Sequence, residues 1–117
     1  MLKLSEHFTS DEFACKCGCG FDSPDPNLIF VLECLRTVFN NKPITINSGC
    51  RCKFYNAKIK GTKNSQHLHG KAADIVIKDV LASHVAEKLR GWFYGSCGIG
   101  DYYTFTHFDI REKLARW

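Results

Sequence analysis

Between Ser65 and Asp74 the chain reads SQHLHGKAAD, two histidines and an aspartate around one glycine, and then runs directly into the apolar Ile75, Val76 and Ile77. Imidazole and carboxylate groups at the mouth of a buried strand lose hydration that only hydrogen bonds, a charge partner or a metal ion restores. The stretch is therefore either a core network whose polar groups satisfy one another or half of a metal site completed from elsewhere. Gly70 allows a sharp backbone turn. The small Ala72 and Ala73 let a neighbouring strand or a substrate come close.

Hydrophobic periodicity places this strand among other elements. Thr9 followed by Glu12 has the spacing of a capping box and opens a short helix. Leu28, Val31, Leu32, Leu35, Val38 and Phe39 recur at helical spacing, which predicts a helix of roughly three turns with one buried stripe, ended by Asn40, Asn41 and Pro43. Residues 44–47, ITIN, alternate as a short strand. KFYNAKIKG supplies one or two helical turns closed by Gly61, and a polar loop then brings in His67. Residues 72–77 form the strand already noted. A second long helix over 80–93 carries Leu81, Val85, Leu89 and Phe93 on its buried stripe and turns His84 and Glu87 to solvent. YGSCGIGDYY reads as a glycine-punctuated turn or edge strand, and TFTHFDIR alternates as a strand, with Phe105, His107 and Asp109 on one face and Thr106, Phe108 and Ile110 on the other. Strands and helices in this mixed order predict an α+β domain, a small antiparallel sheet backed by helices.

A catalytic zinc ion takes three protein ligands of His or carboxylate type and keeps a fourth position for water. His67, Asp74 and His107 make such a trio, and they converge if the strands bearing Asp74 and His107 are neighbours. Taken singly, each residue has a plainer role: either histidine satisfied by backbone hydrogen bonds, Asp74 paired with Lys71 or capping a turn.

Length, charge and cysteine content narrow the alternatives. The 117 residues suffice for one core and one domain, 1–117, and the 44% apolar and 24% charged residues give no cause to expect disorder. No stretch is apolar for long enough to cross a bilayer, and MLKLSEHFTSDEF turns polar too early for a secretory signal, so synthesis in the cytoplasm is expected. The net charge of +4 is scattered and singles out no nucleic acid. Seven cysteines cannot all pair within one chain, and without an export signal they read mainly as reduced thiols. Cys15, Cys17 and Cys19, with Cys50 and Cys52, could hold a second, structural zinc if the two segments meet. Their spacing is tighter than the usual two to four intervening residues, and small buried thiols in a glycine-rich turn are the competing and favoured interpretation. Cys34 and Cys97 look structural.

SQHLHGKAAD resembles the S-x-H-x-x-G-x-A-x-D signature of the M15 peptidases, the zinc D-alanyl-D-alanine carboxypeptidases and their phage endolysin relatives. SGCR, Ser48 to Arg51, is similar to the family's upstream S-G-x-R element, THFDIR to its late H-x-D strand, and SEHFTSDEFACKCGCG to the opening of its small single-domain subgroup. The resemblance covers nearly the whole chain. It implies a hedgehog/DD-peptidase-like fold, one catalytic Zn2+ on His67, Asp74 and His107, Arg51 as the group that holds substrate and stabilises developing negative charge, and Ser65 near the substrate or shaping the loop. His69 matches no required position.

The activity so implied is hydrolysis of peptide bonds involving D-amino acids in peptidoglycan, by a carboxypeptidase or a cross-link endopeptidase. The expected enzyme is a monomer that acts at the cell wall or periplasm on stem peptides, without nucleic acid and without membrane insertion. Release through a phage holin, as an endolysin would be, or carriage in a virion are routes the family leaves open. Zinc chemistry also requires a general base. Several relatives carry an acid three positions before the last zinc histidine, where this chain has Thr104. Asp109, sharing the face of His107, is the favoured substitute and Asp101 the second, while the plainer role of Asp109 is to orient a ligand or pair with Arg111. Two rival readings remain: a wall-binding module that keeps the zinc fold without turnover, to which Thr104 lends support, and a small Cys-rich zinc module for nucleic acid.

Overall fold

A five-stranded sheet forms the frame of the computed structural model, which describes residues Met1–Trp117. The strands are β1 (Ile44–Ser48), β2 (Ala72–Ile77), β3 (Gly98–Asp101), β4 (Thr106–Asp109) and β5 (Ala115–Arg116), in the order β1-β2-β4-β3-β5. β1, β2, β4 and β3 pair antiparallel, and β5 lies parallel to β3. The architecture is α+β. β3, expected as a turn or an edge, is interior. The two-residue β5 covers its outer side, and a segment that short carries no periodic signal to announce it.

Four helices accompany the sheet: α1 (Ser10–Phe13), α2 (Pro26–Val38), α3 (Lys53–Lys58) and α4 (Ala82–Trp92). At α1 the Glu12 carboxylate accepts the Thr9 backbone N–H at 2.7 Å, as the spacing predicts. α2 starts at a proline, whose missing N–H costs nothing there, and the Asp25 side chain accepts from the Asn27 N–H at 2.8 Å. It ends where Asn40 and Asn41 both take positive φ, a conformation asparagine tolerates better than most residues. Its buried face is Leu28, Ile29, Leu32 and Leu35; Val38, placed on that stripe by periodicity, is exposed. α3 is followed by Lys60 at φ 59°, so lysine rather than Gly61 makes the left-handed turn. α4 buries Val85, Ala86 and Leu89, while Leu81 lies outside it and is exposed. His84 and Glu87 face solvent as expected.

The pleat sorts side chains between two environments. Ala73, Ile75 and Ile77 of β2, Ile99 of β3 and Phe108 of β4 join Leu28, Leu32 and Leu35 of α2 and Val85 and Leu89 of α4 in one apolar cluster. Thr106 on β4 donates its hydroxyl to the Ala82 carbonyl at 2.9 Å, tying α4 to the sheet. The residues between these positions, Asp74 on β2 with His107 and Asp109 on β4, belong to the opposite face. No helix is long and apolar enough to cross a membrane.

Candidate metal centre

β2 and β4 are neighbours in the register that sets Asp74 directly opposite His107. His67 reaches the same point from a 3-10 helix, Gln66–His69, that leads into β2. Ser65 caps this helix by accepting the His67 N–H on its hydroxyl at 3.2 Å, so its observed contact is with the loop. Gly70 ends it at φ +67°, where a β-carbon would also lie 2.8 Å from the Ser23 carbonyl oxygen. Glycine is needed there on both counts.

Two imidazole nitrogens face one carboxylate oxygen. His107 Nδ1 lies 2.9 Å and His67 Nε2 3.2 Å from Asp74 Oδ1, all three ligand atoms fall within 4.8 Å of one another, and all three residues are buried. The remote nitrogen of each ring is spoken for. His67 Nδ1 donates to the Gly49 carbonyl at 2.6 Å and His107 Nε2 to Asp109 Oδ2 at 2.7 Å. Because a carbonyl only accepts, that bond keeps a proton on His67 Nδ1, and in the neutral ring it leaves the Nε2 lone pair turned to Asp74. Three lone-pair donors turned on one point repel unless protons or a cation stand between them. Ligand bonds of about 2.1 Å in a tetrahedron imply ligand–ligand edges of about 3.4 Å. The two observed edges are slightly shorter, and the donor set with its outer hydrogen bonds fits zinc.

The charges respond to one another. Burial works to raise the Asp74 carboxyl, but hydrogen bonds from His107 and His67 and their positive charge hold it well below the usual carboxylate range. Burial likewise disfavours charge on His107, yet hydrogen bonding to Asp109 and Asp74 raises it above an ordinary histidine.

Asp109 sits behind His107, not beside the open side of the trio. Its side chain is fully buried, and its oxygens accept from His107 Nε2, from the Gly98 N–H at 3.1 Å and from Arg111 Nε and Nη2, both at 2.8 Å. Gly98 is required by this arrangement, since a β-carbon would collide with the Asp109 carboxylate. A carboxylate so engaged orients an imidazole and has no lone pair turned to a water in the cleft. Asp101, at the end of β3, approaches Arg90 at 3.7 Å and does not line the cleft. The expectation that Asp109 or Asp101 serves as the base therefore does not match their positions; strand alternation gave the correct face for Asp109 but not which side of the His107 ring it occupies.

Arg51 does reach the trio. Nη2 donates to Asp74 Oδ2 at 3.2 Å, Nε to Ser48 Oγ at 3.0 Å and Nη1 to Asn56 Oδ1 at 3.3 Å. These bonds brace the guanidinium, hold one Asp74 oxygen and leave two of its five N–H donors uncommitted. His69 is exposed and outside the cleft, and Thr104 is exposed in the turn before β4.

Arg51, Ser65, His67, Asp74 and His107 line a cleft of about 650 Å³. Sequence reasoning missed its far wall. Trp117 lies with its ring 4.9 Å from His107, donates Nε1–H to the Tyr102 hydroxyl at 2.7 Å and carries the Arg111 guanidinium 5.5 Å from its ring centre. Tyr102 in turn stacks on Phe105 at 4.4 Å. The aromatic density of DYYTF and the terminal RW was the available signal. Lys60 adds positive charge, and Asp74 has the only carboxylate side chain lining the cleft.

A second cluster of ligand-type side chains also forms: Cys15, Cys17, Cys19 and Cys52 come together, whereas Cys50 turns into the apolar core.

A family model described as Peptidase M15 matches residues 6–109. Over 44 residues the chain is 41% identical to the zinc D-Ala-D-Ala carboxypeptidase of Streptomyces albus G, a match that covers 38% of this chain and 17% of that protein. The similarity thus takes in less than a fifth of the relative's length.

Proposed function

The chain belongs to the peptidase M15 family, and from that premise we propose that it is a zinc-dependent peptidase acting on peptidoglycan stem peptides or cross-links at bonds involving D-amino acids. The observation that carries this reading is the convergence of His67, Asp74 and His107 at one end of a cleft that also holds Arg51. The named activity of the Streptomyces albus G relative supports the substrate class.

His67 Nε2, Asp74 Oδ1 and His107 Nδ1 would hold the metal. When bound, zinc supplies Lewis acidity toward a carbonyl and a water nucleophile active near neutral pH. The Gly49 carbonyl keeps the proton of His67 on Nδ1, and Asp109 keeps that of His107 on Nε2, so both rings present the nitrogen a metal needs. Arg51 offers its free donors to a peptide carboxylate or to the oxyanion that develops during attack. With Lys60 beside it, the cleft is basic around Asp74 and suited to an anionic peptide end. Trp117, Tyr102 and Phe105 form the apolar wall against which a peptide would lie, shielding one side of the site from water.

Digestion of purified peptidoglycan followed by mass spectrometry, with and without chelator and with His107→Ala, tests the reading. Released peptides that vanish on chelation and in the variant are expected, and the fragments identify carboxypeptidase or endopeptidase action. A second reading, a wall-binding module without turnover, is favoured by one observation: no carboxylate side chain besides that of Asp74 lines the cleft to take a proton. Zinc-loaded protein that binds the wall and releases no peptide would establish it in place of the first.

A further inference from the structure

Four cysteines form a constellation apart from the cleft trio. Cys15, Cys17 and Cys19 occupy the turn after α1, and Cys52 caps α3. All four sulfurs lie within 4.8 Å of one another. The separations are 3.6 Å for Cys15–Cys17, 3.8 Å for Cys15–Cys52 and 3.5 Å for Cys17–Cys52. These are not disulfides, whose sulfurs are about 2.05 Å apart, and all seven cysteines are free. Zn–S bonds of about 2.3 Å in a tetrahedron require S···S edges of about 3.8 Å. Each measured edge lies close to that value.

Packing does not explain the cluster. Burial accounts for Cys15, but Cys17 and Cys19 are exposed and join no core. The backbone, by contrast, is wound around the sulfurs. Gly18 and Gly20 take φ +82° and +93° with nothing near the position of a β-carbon, so glycine answers to conformation there and not to crowding. The Cys15 N–H donates to the Phe21 carbonyl at 2.8 Å and the Gly18 N–H to the Cys15 carbonyl at 3.1 Å, closing a tight knuckle. Two further amides point at sulfur: Cys52 N–H at Cys15 Sγ and Tyr55 N–H at Cys52 Sγ, both at 3.4 Å. Donors so aimed favour thiolate over thiol.

We infer that Cys15, Cys17, Cys19 and Cys52 bind one zinc ion in a closed four-thiolate structural site. Thiolate softness and tetrahedral spacing select zinc over the hard cations. Four thiols give up their protons on binding, and Lys16 and Lys53, next in sequence to ligands, offset the negative charge that results. The ion cross-links the N-terminal turn to the segment Ser48–Cys52. That segment presents the Gly49 carbonyl to His67 and Arg51 to Asp74, so the structural ion holds from outside the loop on which the cleft trio depends.

Elemental analysis of protein purified without chelator, paired with cobalt substitution, tests the inference. Two zinc ions per chain are expected in the wild type, one in His107→Ala, one in the double variant C17S/C19S and none when all three changes are combined. Cobalt should give a thiolate charge-transfer band in the near ultraviolet that survives His107→Ala and disappears in C17S/C19S. If the cleft does not bind zinc, the wild type holds one ion and keeps it in His107→Ala, which separates failure of the peptidase reading from failure of this one. Zinc content unchanged in C17S/C19S, iron in place of zinc, or a cobalt form without the thiolate band would overturn it. Should C17S/C19S not fold, the cobalt spectra of the wild type and of His107→Ala decide the matter alone.

Discussion

The two oxygens of Asp74 are divided between different tasks: Oδ1 faces both imidazoles and Oδ2 faces Arg51. Arg51→Lys keeps the charge and loses the fork, and peptide release is expected to fall about 10- to 100-fold in kcat/KM with the variant still folded, as read by steady-state assay and circular dichroism. Asp109→Asn removes the charged partner of His107 Nε2 and of Arg111. Zinc affinity at the cleft should weaken by about 10- to 100-fold, measured by competition with a chromophoric chelator. At this scale residue type and likeness to a family signature singled out His67, Asp74 and His107, where spacing alone left their plainer roles open. For Asp109 the sequence offered two roles, base or partner of a ligand and of Arg111, and could not choose, because strand alternation names a face and cannot say which ring nitrogen a neighbour two residues away will meet.

Among the elements, β2 was recognisable from its apolar run and β4 from its alternation, and their adjacency converts two separate segments into one site. β3 depends on the absence of a side chain at Gly98, where the Asp109 carboxylate fills the space. Gly98→Ala is therefore expected to destabilise the fold by about 1–3 kcal/mol, seen as a lower urea midpoint, and to lower zinc affinity as well. The segment before α1 is fastened to α2 through Glu33, which accepts from the Ser5 hydroxyl, from the His7 N–H at 2.8 Å and from His7 Nδ1 at 2.7 Å. Burial acts to raise this carboxyl, and the hydrogen bonds from Ser5 and His7 outweigh it and lower it. A carboxylate depressed in the folded state contributes stability above its unfolded pKa of about 4.3, and that contribution is lost as pH falls through the lower folded value. Glu33→Gln should accordingly cost about 1 kcal/mol or less at pH 7 and nothing in acid below both values, by urea unfolding at the two pH values. Val38 and Leu81 were placed on buried stripes by period alone and proved exposed, because helix ends leave the shelter of the sheet whatever their periodicity.

For the molecule as a whole, the sheet divides labour between its faces. Leu32, fully buried in the cluster behind β2 and β4, lies on the side away from the trio. Leu32→Ala should lower stability by about 2–4 kcal/mol in thermal or urea unfolding while zinc content per folded chain stays unchanged, since a cavity opens in the core and no ligand moves. What the amino-acid order determined by itself is local: which segments bury a face, where helices start and stop, which residue types can ligate a metal, and the likeness of SQHLHGKAAD to a family signature. Contacts between near neighbours and the pleat's period of two suffice for that. Tertiary structure alone decided that Asp74 stands opposite His107, that Trp117, just after β5, returns to the cleft, and that Cys52 joins Cys15, Cys17 and Cys19 while Cys50 does not. These are encounters between segments far apart in the chain, settled by strand register and packing, which no local pattern records.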